Sequence, residues 1–199
     1  EIYMTDLIID KWFANPVWEA HLDIDNNEII EYAYDLKSKK AGVIKSNKEG
    51  WQCADIENPP KAYLTLIESI NNILIDVHKT MGLKVEYPSY VKDSWLNINP
   101  PGSYNLRHLH PRSVFSGVYY PKVPKGECGD LIFYRDNLML SYLPSYIVDE
   151  WNDLTSGTTT YIPKDSMLLI FPSWFEHSVT ANLTNEDRIS ISFNTNYDF

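Results

Sequence analysis

The chain has 199 residues, 44% apolar, 14% aromatic and 22% charged, enough material for one well-packed core. Its formal net charge of −10, from 27 acidic and 17 basic residues, works against a surface that must neutralise many phosphates, so neither nucleic acid nor an anionic membrane is expected as a partner. Cys53 and Cys128 stand far apart and outside any zinc-ribbon spacing, which excludes a disulfide framework and makes a reducing, cytoplasmic setting the expectation.

No apolar run approaches the roughly 20 residues of a membrane span, and the start of the chain shows no basic-then-apolar signal pattern. Its first residue is Glu1 rather than Met, which leaves room for a few residues ahead of it. Without repeats or low-complexity stretches, the expectation is one domain over residues 1–199, with a helical part over 1–90 and a β-rich core over 91–199.

In chain order, helical patterns cover Asn26 to Lys40 and Pro60 to Met81, the second with an apolar stripe of Leu66, Ile70, Ile73, Val77 and Met81 that should lie on a sheet. Pro59-Pro60 stands where that helix begins. A break follows near Tyr87-Pro88. Eight strand candidates come next: Ser94–Asn99, Asn105–His110, Ser113–Pro121, Gly129–Tyr134, Thr158–Ile162, Ser166–Phe171, Trp174–Thr180 and Arg188–Thr195. Turn signals at Pro100-Pro101-Gly102, Pro124-Lys125-Gly126 and Pro163-Lys164-Asp165 separate them. The pattern predicts a mostly β (α+β) protein, a jelly roll or double-stranded β-helix with the helices packed on one sheet. The long connection Arg135 to Gly157, with Tyr142, Tyr146 and Trp151, reads either as a lid or as aromatic packing on the outer sheet.

Two of the five histidines form His108-Leu109-His110, where an extended backbone would turn both imidazoles to one face. His177, in a later strand, supplies a third nitrogen. Two histidines from one strand and one from another suit a facial site for Fe(II), Mn(II), Cu(II) or Zn(II), although an HxH pair is also found as ordinary surface histidine. His21, near an expected helix or turn, and His78, within the second helix, lack partners at ligand spacing and read as structural. Eleven residues after His177 comes Arg188-Ile189-Ser190. Alternation there puts Arg188, Ser190, Ser192 and Asn194 on one face and Ile189, Ile191 and Phe193 on the other. A guanidinium with a hydroxyl two residues on is suited to a carboxylate, or is simply solvent-facing.

The order His108-x-His110, His177, Arg188-x-Ser190 resembles the Fe(II)- and 2-oxoglutarate-dependent oxygenases, whose pattern is HxD/E, a distal His and an Arg about ten residues later. The resemblance covers roughly Ser94 to Phe199. It implies that His108, His110 and His177 hold Fe(II), that Arg188 and Ser190 bind the far carboxylate of 2-oxoglutarate, and that O2 is the oxidant. Asn97-Ile98-Asn99-Pro100-Pro101-Gly102 before His108 is similar to the family's NxYxxG run, implying that Asn97 and Asn99 touch 2-oxoglutarate, with Asn99 standing where the family has Tyr. The stretches Ser46–Gln52, Trp95–Asn97, His108–Pro111 and Ser116–Tyr120 further resemble a subgroup of oxygenases from marine phages and bacteria, which would imply a host cytoplasm. The family's second ligand is a carboxylate, and here it is His110. An imidazole fills the space that halogenating relatives keep for halide, which argues against halogenation. Glu176 and Asp130 are the nearest acidic candidates, Glu176 alternating away from His177 in a regular strand.

Two rivals remain at this level. A cupin-type three-His metalloenzyme would share the histidines but has no use for Arg188, and in a non-catalytic jelly-roll ligand-binding or virion module the histidines would hold a structural metal or none. The expected reaction is oxidation, by hydroxylation, of a small-molecule or peptide substrate. Lys122, Lys125, Arg107 and Arg112 form a candidate basic patch or plain solvated surface. Oligomeric state has no signal in the sequence.

Overall fold

The computed structural model describes residues 8–9, 13–135, 146 and 148–197. Helix α1 (Asn26–Lys39) starts where the Asp25 carboxylate accepts the Glu28 N–H at 3.3 Å, and it buries Ile29, Ala33 and Leu36. Helix α2 (Lys61–Thr80) has Pro60 at its N-cap, which offers no side-chain acceptor. Glu28 of α1 fills that role, its Oε2 accepting the Ala62 N–H at 2.7 Å, so the first turns of the two helices are tied together. The buried face of α2 holds Leu66, Ile70, Leu74 and Val77, with Ile73 and Met81 of the expected stripe only partly covered. His78 is buried, its Nε2 accepting the Ser89 N–H at 3.1 Å, in keeping with a structural role.

Eleven strands are present among the described residues: β1 (Trp18–His21), β2 (Asn47–Lys48), β3 (Trp51–Cys53), β4 (Tyr90–Asn99), β5 (Tyr104–His108), β6 (Phe115–Lys122), β7 (Leu131–Tyr134), β8 (Thr158–Tyr161), β9 (Met167–Pro172), β10 (His177–Val179) and β11 (Arg188–Asn196). They form two antiparallel sheets, β1-β9-β6-β11-β4-β3 and β2-β5-β10-β7-β8. This is a jelly roll with both helices against the outer face of the six-stranded sheet, as the alternation predicts.

Strand β11 shows why the layers hold. Ile189, Ile191 and Phe193 are fully buried in the cluster that includes Leu66 and Ile70 of α2. Each contributes about 1.5–3 kcal/mol by leaving water. Arg188, Ser190, Ser192 and Asn194 point the other way, into the space between the sheets. Of the two environments open to that polar face, it is the cavity that it meets.

Three strands were not expected. β1, β2 and β3 lie in the part read as helical, and His21 sits in β1 rather than in a helix or turn. They are only two to four residues long, too short for alternation to reveal. β2 pairs with β5 of the smaller sheet and β3 with β4 of the larger, so their hairpin crosses from one layer to the other. The break near Tyr87-Pro88 therefore separates elements in sequence and not in the sheets. Strand β10 is also shorter than predicted, because Pro172 to Glu176 forms a turn before it. Among the described residues no helix is long and apolar enough to cross a membrane.

Candidate active site

The gap between the sheets opens into a cavity of about 610 Å³. His108 ends β5, and it pairs with His177, the first residue of β10. Between these strands the register runs His177 to His108 and Val179 to Asn105, so β5 carries one extra residue. This bulge turns both Asn105 and His108 into the cavity although they are three apart. His110 lies two residues past the end of β5, so the expected single extended segment through both histidines is not what brings them together. Its backbone N–H donates to the Ser173 carbonyl at 2.9 Å, holding the turn against the start of the Pro172–Glu176 connection.

His108, His110 and His177 offer ligand nitrogens all within 4.8 Å of one another, and no other such group of His, Cys, Asp or Glu occurs among the described residues. Each Nδ1 faces an oxygen: Leu106 O at 2.6 Å for His108, Asn194 Oδ1 at 2.7 Å for His110 and Phe175 O at 2.9 Å for His177. Every ring therefore carries its proton on Nδ1 and turns a bare Nε2 inward. The Nε2 atoms of His110 and His177 are 3.3 Å apart. Two lone pairs facing at that distance repel each other unless a cation lies between them, and two nitrogens each about 2.0–2.1 Å from one ion stand about that far apart. Burial pushes the imidazoles away from their charged forms: His110 falls to about 4 and His177 to about 3, in both with His108 as the next cause, and His108 is lowered by burial too. Neutral imidazole is the form that binds metal. Trp95 of β4 stacks on His110 with ring centroids 5.7 Å apart and 19° between planes.

Arg188 stands at the other end of the cavity, 2% exposed. Its Nη1 donates to the carbonyls of Cys128 at 3.2 Å and Gly129 at 2.5 Å, while its buried Nε has no hydrogen-bond partner among the described residues. Burial works against its charge. A buried cation with an orphaned donor on the cavity is the counterpart of an anionic ligand. Register places Ser190 opposite Asn97 and Arg188 opposite Asn99. The Asn97 carboxamide donates to Ser192 Oγ at 3.1 Å and to Ser190 Oγ at 3.5 Å, so it orients these hydroxyls. Asn99 also lines the cavity, with its carboxamide over Gly50 of the β2–β3 turn.

All seven predicted site residues thus line one cavity. Glu176 does not join them: it pairs with Arg107, which also lies over the Tyr134 ring. Asp130 lies outside the nitrogen cluster and donates its backbone N–H to Thr180 Oγ1 at 2.8 Å. With Arg107 paired and Lys122 3.6 Å from Glu186, the candidate basic patch loses half its charge. In the expected lid, Tyr142 lies outside the described residues, and Tyr146 and Trp151 are exposed rather than packed on the sheet. The sequence reading missed Trp95, Ser116, Ser173, Gly129 and Tyr120, the last a buried phenol on the cavity whose pKa burial raises to about 12 against the pull of Arg188. Besides the resemblance of Trp95–Asn97, the alternation of β4 pointed to Trp95, two residues before the already assigned Asn97.

Residues 93–194, just over half of the chain, match the family model described as "Putative 2OG-Fe(II) oxygenase". No curated protein matches this chain. Among solved structures, a Pseudomonas putida prolyl-4-hydroxylase is similar at 13% identity and TM-score 0.62, over 93% of this chain and 94% of that one. HygX from Streptomyces hygroscopicus, solved with nickel and 2-oxoglutarate bound, is similar at 11% identity and TM-score 0.62, over 93% and 84%. The α-ketoglutarate-dependent epimerase SnoN from nogalamycin biosynthesis has 14% identity and TM-score 0.66, over 91% and 76%. At these identities the neighbours establish the fold alone. The family match is what shows that this chain belongs to the 2OG-Fe(II) oxygenases, enzymes that work with Fe(II) and 2-oxoglutarate.

Proposed function

We propose that this oxygenase hydroxylates a small molecule or peptide, one oxygen atom of O2 entering the substrate and the other entering succinate as 2-oxoglutarate loses CO2. The observation that carries this reading is the meeting, in one cavity, of three inward Nε2 atoms and a buried guanidinium with an orphaned Nε. His108, His110 and His177 are the residues that would hold Fe(II). Arg188 and Ser190 would take the far carboxylate of 2-oxoglutarate, with Asn97 and Asn99 bordering it. Bound iron supplies activation of O2 and oxidation of the substrate C–H bond.

The chain's own residues perform the rest. With Nη1 committed to two carbonyls, Arg188 receives the carboxylate on its Nε edge, which fixes the cosubstrate's direction in the cavity. Asn97 occupies the acceptor side of Ser190 Oγ, leaving the hydroxyl proton for the same carboxylate. The three Nδ1–H bonds keep the imidazoles aimed at one point. Apolar Leu131, Phe171 and Val179 line the same cavity and lower the polarity of its wall.

Solved neighbours include HygX with hygromycin B bound and a Trichoplax adhaerens prolyl hydroxylase with a peptide fragment, which supports a small-molecule or peptide substrate. The net charge argues against nucleic acid. Cys53 and Cys128 are both free and buried, which supports a reducing cytoplasm.

The test is an anaerobic optical titration in which Fe(II) and then 2-oxoglutarate are added to metal-free protein. A weak visible charge-transfer band that appears with wild type and is lost in Arg188→Ala is the expected result. Iron binding with no band points to a cupin-type site, and no iron binding at all overturns the enzyme mechanism.

A further inference from the structure

Resting on the metal-site reading above, we propose that Asn194 is a positioning residue for the metal: its carboxamide oxygen selects the His110 ring form that ligates, through a hydrogen-bond relay running from Ser173 by way of Ser116.

The three histidines are held differently. His108 and His177 each donate Nδ1–H to the backbone carbonyl two residues earlier, a bond that no side-chain substitution removes. His110 donates instead to a side chain, Asn194 Oδ1 at 2.7 Å. A carboxamide has one accepting end and one donating end. Turned over, Asn194 would present its NH2 to Nδ1, and the His110 proton would move to Nε2, where it points at His177 Nε2 and occupies the lone pair a metal needs.

In the relay Ser173 donates to Ser116 and Ser116 in turn to Asn194, the direction that favours the accepting end of the carboxamide. Ser116 Oγ donates to the same Oδ1 at 2.8 Å, and Ser173 Oγ lies 2.9 Å from Ser116 Oγ. Ser116 and Ser173 are both buried, and β-sheet register sets Asn194 opposite Ser116. Ser173 also takes the backbone N–H of His110 on its own carbonyl, so one residue anchors both the backbone and, through the relay, the ring.

The relay bears on charge as well as orientation. Three neutral imidazoles leave the metal with its full double charge. An acceptor behind the ring is the position from which negative charge would reach the metal, and here that acceptor is neutral. Asn194→Asp keeps the shape and adds the charge.

Co(II) added alone to the metal-free protein is the probe, read by its optical spectrum and by the shifted resonances of exchangeable ligand N–H protons. Wild type should show three such resonances, one per imidazole. Asn194→Ala should lose one, bind Co(II) about 10–100-fold more weakly and keep the two from His108 and His177. Asn194→Asp should retain all three and bind at least as tightly as wild type. An Asn194→Ala protein with three resonances and wild-type affinity overturns the relay, as does Asn194→Asp binding as weakly as the alanine variant. A wild type that binds no Co(II) overturns the metal-site reading itself, so the two failures are distinguishable.

Discussion

A Cβ on Gly129 would lie 2.6 Å from Arg188 Nη1 and 2.7 Å from the Thr180 carbonyl, so the glycine and the arginine fit only as they are. Gly129 also holds φ +102, a conformation that suits glycine and few other residues, and its carbonyl accepts from the same Nη1. Gly129→Ala should push the guanidinium off its seat. Because a hydrogen bond to a charged group contributes about 1.5–3 kcal/mol, the KM for 2-oxoglutarate should rise tenfold or more, while Co(II) affinity stays that of wild type. Steady-state kinetics over a 2-oxoglutarate series, beside a metal titration, checks both halves.

Arg188 invites a prediction that differs between two assays. Its buried charge feels Asp130 only through the field and leaves Nε without a hydrogen-bond partner among the described residues, so Arg188→Met should leave the ligand-free form about as stable as wild type. With cosubstrate at one hundred times its dissociation constant, wild type gains about 2.7 kcal/mol and the variant gains nothing. Thermal melts with and without 2-oxoglutarate, in the presence of Mn(II), measure the two together. Arg188→Lys should recover little, since an ammonium has no planar fork.

Metal removal should make the protein acid-sensitive. His110 and His177 are kept neutral in the metal-free fold, down to about 4 and about 3, whereas in the unfolded chain they take up protons near the ordinary value of about 6.5. The unfolded state therefore binds more protons as pH falls. Stability is fully present above about 6.5 and is lost progressively towards pH 4 and 3. A chelator-treated sample should show a Tm that drops from pH 7 to pH 4.5, and His177→Gln should show a smaller drop. An equal drop in both proteins would assign the acid sensitivity to other groups.

Gly117 in β6 marks a second tight contact. A Cβ there would meet Phe193 Cζ at 2.3 Å and the Leu169 carbonyl at 2.5 Å. Gly117→Ala should destabilise the protein by about 1–3 kcal/mol, seen as a lower denaturant midpoint, because Phe193 is fixed under the helices and cannot withdraw.

The parts of the site that were legible in the sequence are those written as side chains at fixed spacing: the three histidines, Arg188 with Ser190, and the polar face of β11. The jelly roll followed from alternation in strands long enough to alternate. β1, β2 and β3 were invisible because two to four residues carry no period. The seat of Arg188 was hidden for a different reason, since the Cys128 and Gly129 carbonyls that make it belong to the backbone and leave no trace in residue type. The contact between Asn194 and Ser116 depends on cross-strand register, a relation over 78 positions that composition does not encode. The placement of His110 beyond β5 was missed because HxH reads as an extended pair whether or not the strand continues.

Strand β11 separates greasy and polar side chains with a period of two and no spare residue between Arg188 and Asn194. Deleting a single residue there would turn the strand inside out from that point on: the guanidinium or the carboxamide would enter the helix-covered layer, and isoleucine would face the histidines. Length in this strand is thus under the same constraint as chemistry. An insertion or deletion between Arg188 and Asn194 should abolish folding and cosubstrate binding in one stroke, whereas the hairpin ends of the same sheet can absorb added residues.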